Sequence, residues 1–296
     1  LQGLAPGAKV VPYRIVSDSG PDDEAERKKT PSSAEAIRAA AESDVKIISM
    51  SYGSVGETAE EAAAVKYAQS KGKLMFAAVG NEAEKGNIIG YPAAYPYVIG
   101  VAASDEKGTA AKFSNHGNYV DLAAPGLDIP KWCDATFRSY CPGGGTSQAA
   151  AIASASAALI WSAHPDWTAN QVLGSLIDTA GRDWARDDPS TYLGYGLIRP
   201  RKVLEDSDYK PVPADTDPLA RENATGVLDE SGKPVTASES PSPESSKEGS
   251  GGQTSAAGPE SGESGNTTLW VTLGAAAAVL AIGGGAFAVL RNRRNA

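Results

Sequence analysis

Apolar and polar positions follow two rhythms over the first two hundred residues. Short apolar runs of strand length occur at 9–16 (KVVPYRIV), 45–50 (VKIISM), 73–79 (KLMFAAV) and 97–103 (YVIGVAA). They are rich in Val, Ile and aromatic residues and bounded by turn formers, which predicts strands. Between them the pattern is helical. Ser32-Ser33-Ala34-Glu35 offers an N-cap to the run AEAIRAAAESD. The run AEEAAAVKYAQSKG ends on Gly72, which suits a left-handed residue just past a helix. Another helix is expected from Thr146 through AAAIASASAALIW, and Thr168-Ala169-Asn170-Gln171 reads as a capping box for a helix reaching Ala180. Residues 17–31 are charged and predict an exposed loop, and RPRKVLED predicts a short last helix. Strands alternating with helices argue for an α/β fold, a parallel sheet with helices on both faces. Ligands bind such sheets beyond the C-terminal ends of the strands. Ser51-Tyr52-Gly53 and Gly80-Asn81 fall there.

The pattern changes at residue 207. Pro, Ser, Glu, Gly and Thr dominate, and no aromatic residue occurs between Lys210 and Thr268. Such a composition buries too little apolar area to offset the entropy of ordering, so 207–268 is expected to be a disordered linker. Eleven acidic and four basic residues there carry seven of the nine net negative charges. The rest is nearly neutral, without a basic patch, so no nucleic-acid partner is expected. Residues 269–290 (LWVTLGAAAAVLAIGGGAFAVL) carry no charge. At about 1.5 Å per residue they span a hydrocarbon core of about 30 Å. Trp270 suits the interface, and Arg291, Arg293 and Arg294 place the far end in the cytoplasm. The expected organisation is a globular part at 1–206, the linker, one transmembrane helix, and a basic tail at 291–296. The protein would be single-pass in the cell membrane with its globular part outside. The chain opens at Leu1 with no methionine or secretory signal, as expected of an N-terminus lost or processed.

Cys133 and Cys141 are the cysteines of the chain. Zinc takes about four ligands, and the two histidines lie far apart in sequence, so a disulfide is expected and no metal site. The bond agrees with an external location.

The chemistry centres on Gly143-Gly144-Gly145-Thr146-Ser147-Gln148-Ala149. Three glycines free the backbone, and a helix then begins at the serine. Unpaired N–H groups and the positive end of the helix dipole favour a developing negative charge there. A nucleophilic serine needs that, because its attack creates an oxyanion. Alone, the stretch reads equally as a Gly-rich turn with an ordinary capping serine. The second stretch is KLMFAAVGNE, an apolar strand ending on Gly80-Asn81. A side-chain amide is an uncharged hydrogen-bond donor suited to an oxyanion.

The order GNE, YPAAYPYVIGVAA, FSNHGNYVDLAAPG, GTSQAA resembles, block by block from about Gly3 to Leu204, the subtilisin-like serine proteases. The resemblance implies the three-layer subtilisin-like fold, with Ser147 as nucleophile and Asn81 as side-chain donor of the oxyanion hole. It implies that Ser51, Tyr52 and Gly53 pair with an extended substrate and, with Ala78, Val79 and Gly80, line the specificity pocket. Tyr52 stands where many relatives have leucine, and Ala151 where the family usually has proline. Tyr91-Pro92 matches a segment that often holds a cis bond. The family also requires an aspartate and a histidine in blocks ahead of the segment matching Gly3-Leu4-Ala5-Pro6, so the N-terminal part of the fold is expected to be missing from this chain. His116 and His164 match no catalytic block, and structural roles are expected for both. No cofactor is required. Calcium is common in the family, but no matching carboxylate cluster is found. External domain, linker and anchor together resemble the mycosins, proteases of type VII secretion systems. The expected function is a membrane-anchored extracellular serine endopeptidase acting on peptides or proteins, with a secretion complex as a possible partner. The alternative is a non-catalytic membrane-tethered scaffold, a pseudoprotease or truncated product.

Overall fold

The computed structural model describes residues 3–16, 29–228 and 232–234. In chain order its strands are β1 (Ile47–Met50), β2 (Ser54–Val55), β3 (Leu74–Ala78), β4 (Gly90–Tyr91), β5 (Val98–Ser104), β6 (Leu122–Pro125), β7 (Ile129–Trp132) and β8 (Tyr140–Gly143). Its helices are α1 (Ser33–Glu42), α2 (Ala59–Ser70), α3 (Thr146–Ala163), α4 (Ala169–Thr179), α5 (Pro200–Leu204) and α6 (Ala220–Thr225).

The central sheet runs β1-β3-β5-β6, all parallel. Ile47 lies opposite Leu74, Phe76 opposite Ile99, and Ala103 opposite Ala124. Successive side chains of a strand point to opposite faces, and a sheet covered on both faces needs apolar residues at every position. Strand β3 shows this. Leu74, Phe76 and Ala78 enter the core formed with α3 and α4, while Met75 and Ala77 enter the core formed with α1 and α2. The result is three layers, helix–sheet–helix.

Helix α3 packs against all four strands of the sheet. Its sheet-facing residues are small: Ala149, Ala150, Ala153 and Ala157 are fully buried. That lets the helix axis come close to the strands and fixes the position of its N-terminus. The expected caps are present. Ser32 with Glu35 and Thr168 with Gln171 form capping boxes on α1 and α4. Gly72 follows α2 with φ +71°. Tyr91-Pro92 is cis.

Gly100, in the middle of β5, has a specific reason. A Cβ there would lie 2.1 Å from the Tyr119 carbonyl oxygen, so only glycine lets that segment cross the strand. The Gly100 N–H donates to the buried Asp121 carboxylate at 2.8 Å.

Three findings differ from the sequence expectations. Residues 9–16 form no strand: among the described residues nothing pairs with them as a strand, and Val10 is 83% exposed. An apolar run becomes a strand only when a neighbour takes its N–H and C=O groups. Second, β7 and β8 form an antiparallel hairpin that the pattern did not predict, closed by the Cys133–Cys141 disulfide with Cα atoms 5.0 Å apart. Third, residues 207–228, expected in the linker, pack on the domain. Leu219 and Val227 are buried, the Tyr209 hydroxyl donates to Asp178 at 3.1 Å, and the Tyr97 N–H donates to Asn223 at 2.6 Å. Averaged over the whole segment, the polar composition hides these few anchors. No helix among the described residues is long and apolar enough to cross a membrane. The expected transmembrane stretch at 269–290 and the tail at 291–296 lie outside the described residues, as does most of the expected linker.

Candidate active site

Ser147 is the second residue of α3, so its N–H has no acceptor within the helix. Gly145 caps the helix at φ +156° without a side-chain bond. A Cβ at Gly145 would lie 2.8 Å from the Gln148 side-chain oxygen and 3.6 Å from Asn81 Oδ1, so this glycine keeps space between the helix start and the end of β3.

The ends of β1, β3 and α3 meet here. The Ser147 hydroxyl donates to the Ser51 carbonyl at 3.3 Å, and the Ser51 hydroxyl donates to the Ser147 carbonyl at 3.0 Å. Asn81 is joined to the same helix start. Its Oδ1 accepts from the Thr146 N–H at 2.9 Å and from the Thr146 hydroxyl at 3.1 Å. The Gly80 N–H in turn donates to the Thr146 hydroxyl oxygen at 3.2 Å. A backbone N–H can only donate, so the atom facing Thr146 is the amide oxygen. The Asn81 NH2 group is thereby left for whatever occupies the site.

The other side of the turn is held as closely. Asn115 is 1% exposed. Its N–H donates to the Gly80 carbonyl at 3.0 Å, and its Oδ1 accepts from the Glu82 N–H at 2.7 Å. Its Nδ2 donates to the Ile88 carbonyl at 2.7 Å and to Glu82 Oε2 at 3.2 Å. The same Glu82 oxygen accepts from the Asn81 N–H at 2.7 Å.

The remaining expected site residues divide by what they can offer. Ala78 and Val79 are buried with their side chains in the two cores, so only their backbone is available to a ligand. Gly80 and Gly53 have backbone alone. The Tyr52 hydroxyl turns away from Ser147: it interacts with Ser33 at the start of α1 and with Glu61 in α2. Burial, then the charge of Glu61, pushes that phenol well up from its usual range.

Neither histidine reaches Ser147. His116 stacks on Tyr192 at 4.4 Å and His164 on Trp167 at 3.9 Å. Among the described residues no cluster of three or more His, Cys, Asp or Glu could hold a metal. Thr146 and Asn115 are the site residues that sequence reasoning did not single out. The first lies inside GTS and the second inside FSNHGN, but only the fold brings Thr146 to Asn81 and Asn115 to the residues on either side of it.

A serine at a helix N-terminus, beside a side-chain amide at the end of a parallel strand, is an arrangement of the serine-hydrolase type. The chain belongs to the subtilase family, whose model matches residues 1–196. It is 32% identical over 217 residues to the minor extracellular protease Epr of Bacillus subtilis, which covers 71% of this chain and 31% of that protein. It is 31% identical over 198 residues to subtilisin DY of Bacillus licheniformis, covering 66% of this chain and 68% of that one. Several matched relatives are longer: the chain spans 52% of a thermostable alkaline protease of Halalkalibacterium halodurans and 42% of a Bacillus subtilis subsp. amylosacchariticus subtilisin. Among solved structures, the crystal structure of MycP1 with its N-terminal propeptide removed shares the fold at a TM-score of 0.52. The likeness covers 62% of this chain and 68% of that one at 24% identity.

Proposed function

We propose that this chain carries the nucleophile and oxyanion hole of a serine endopeptidase. In this reading Ser147 Oγ attacks a peptide carbonyl while its proton passes to an imidazole. The carbonyl oxygen becomes an oxyanion between the Ser147 N–H and the Asn81 NH2. The C–N bond then breaks, the amine leaves with the proton, and water hydrolyses the acyl-enzyme. The observation that carries the reading is Thr146 occupying Asn81 Oδ1, because this presents the amide donor at the helix start beside Ser147. The backbones of Ser51-Tyr52-Gly53 and Ala78-Val79-Gly80 would hold an extended peptide chain.

The imidazole and the carboxylate that orients it are assigned to the histidine and aspartate blocks the family places ahead of Gly3-Leu4-Ala5-Pro6. Residues 269–290 would tether the domain to the membrane from outside. With that layout the mycosin-like setting, at a secretion complex, is the favoured one. The non-catalytic alternative draws its support from the positions of His116 and His164 away from Ser147.

The test uses the protein extended N-terminally through the histidine and aspartate blocks. A fluorophosphonate should modify Ser147, located by peptide mapping, and Ser147→Ala should lower kcat about a millionfold. The 296-residue chain alone should be inactive to a similar degree. Labelling at another serine, or undiminished turnover by Ser147→Ala, would return the protein to the scaffold reading.

A further inference from the structure

We infer that Asn115 and Glu82 are positioning residues for the oxyanion donor, acting on Asn81 through its backbone. The inference rests on the endopeptidase reading and adds to it the part that sets the geometry of the donor. Asn81 is fixed from two directions. Thr146 fixes the amide end, and the Glu82 carboxylate fixes the main chain by accepting the Asn81 N–H at 2.7 Å. Glu82 itself is a solvent-exposed side chain on a tight turn. What ties it down is Asn115, which accepts from the Glu82 N–H at 2.7 Å and donates to the same carboxylate oxygen at 3.2 Å.

Asn115 uses its backbone N–H and its whole side-chain amide on this loop. Besides Glu82 it bonds the Gly80 carbonyl through its backbone N–H and the Ile88 carbonyl through its side chain, so one buried residue ties the turn from Gly80 to Ile88, just ahead of β4. The close fit reaches Gly80, where an added Cβ would lie 2.3 Å from Asn115 Nδ2 and 2.8 Å from Glu82 Oε2. A stability role alone could be met by any buried residue that satisfied these carbonyls. The bond from the Asn81 N–H to the carboxylate that Asn115 holds is what couples the brace to the donor.

This coupling makes a prediction that ordinary loop packing does not. Asn115→Asp keeps the acceptor for the Glu82 N–H but sets a second carboxylate oxygen where an amide donated to Glu82 Oε2. Two like charges in hydrogen-bond range repel. The turn carrying Asn81 should shift, and a displacement of about 1 Å at a positioned group can cost up to about 10²-fold in rate. We expect kcat to fall at least about tenfold with KM little changed. Adding Glu82→Gln removes one of the two facing charges while its oxygen still accepts the Asn81 N–H, so it should restore part of the lost kcat.

The experiment measures kcat and KM on active-site-titrated, N-terminally extended enzyme, with a thermal melt for each variant. The set is Asn115→Asp, Asn115→Asp with Glu82→Gln, Asn81→Ala, and Asn81→Ala with Asn115→Asp. The expected result is a kcat defect for Asn115→Asp that Glu82→Gln partly rescues and that disappears when Asn81 is already replaced by alanine. A lowered melting temperature with normal kcat for Asn115→Asp, beside a kcat defect for Asn81→Ala, would overturn the positioning role and leave the oxyanion reading standing. An additive defect in the Asn81→Ala background would overturn it as well. A normal kcat for Asn81→Ala would instead remove the endopeptidase reading on which the inference rests. Asn115→Ser supplies a small polar replacement should the aspartate variant not fold, with the same predicted split between kcat and KM.

Discussion

The turn 80–82 and the segment Ser51-Tyr52-Gly53 both leave the C-terminal ends of parallel strands in the same sheet, and both adjoin Ser147. They are built differently. The turn after β3 is held on one side by Thr146 and on the other by buried Asn115, and the bonds satisfy backbone and side-chain groups together. The segment after β1 is exposed at Ser51 and Gly53 and meets Ser147 through a reciprocal pair of serine–carbonyl bonds. The difference teaches what each side can do. A donor that stabilises a transient charge works by being already in place, because no reorganisation is then needed during reaction. A segment that pairs with varied peptide chains needs open N–H and C=O groups and gains nothing from being filled.

The contrast can be broken most forcefully at Gly80. Its φ of +111° and the 2.3 Å approach of Asn115 leave no room for a methyl group. Gly80→Ala should destabilise by roughly 2–3 kcal/mol, from backbone strain and displaced packing together. In the enzyme that remains folded, kcat should fall more than KM changes. A variant with wild-type melting and kcat would mean that the turn is not rigid.

A second test stands outside both loops and sharpens the comparison as a control. Burial, reinforced by Glu222 and Asp217, holds the Asp121 carboxyl well above its ordinary range, against the opposing bond from Gly100. A carboxyl whose native pKa is raised binds its proton more tightly when folded. Its stabilising contribution is complete below the unfolded value near about 4 and is lost as pH rises through the native value. Asp121→Asn can still accept the Gly100 N–H but never ionises. Its melting temperature should therefore gain on the wild type as pH climbs from about 4 toward neutral, with kcat unchanged. Parallel melting curves across that range would contradict the buried ionisation.

The third effect is smaller. Tyr52→Phe removes a hydroxyl that interacts with Ser33 and Glu61, and should cost about 1 kcal/mol of stability. Because that ring points away from Ser147, the ranking of peptide substrates by kcat/KM should not move. A changed ranking would put the Tyr52 side chain back in the specificity pocket and undo the view that this segment contributes backbone alone.

Much of this was legible in the chain. The capping boxes at Ser32 and Thr168 depend on residues three apart, so they show in the sequence and recur in the fold. Strand β3 was legible because its run of consecutive apolar residues suits a strand buried on both faces. Residues 9–16 look equally apolar, but a strand's existence depends on a partner that no local pattern reports. The β7–β8 hairpin was obscured because its strands are only four residues each, are largely exposed and each contain a proline. The packing of 207–228 rests on isolated anchors such as Tyr209 and Leu219, which composition averages away. The positions of Ser147 and Asn81 followed from motif order. The orientation of the Asn81 amide did not, because it requires Thr146, sixty-five residues along the chain, to take the oxygen.

The central claim is that Asn81 presents its amide to an oxyanion formed at Ser147. A ground-state carbonyl is only weakly polar, whereas the tetrahedral intermediate carries a full charge, so the loss of such a donor falls on the transition state. The direct measurement is kcat, KM and melting temperature of Asn81→Ala in active-site-titrated, N-terminally extended enzyme. The account predicts a fall in kcat of about 10²–10³ with KM little altered. Normal kcat with a lowered melting temperature would contradict it and make Asn81 a turn residue.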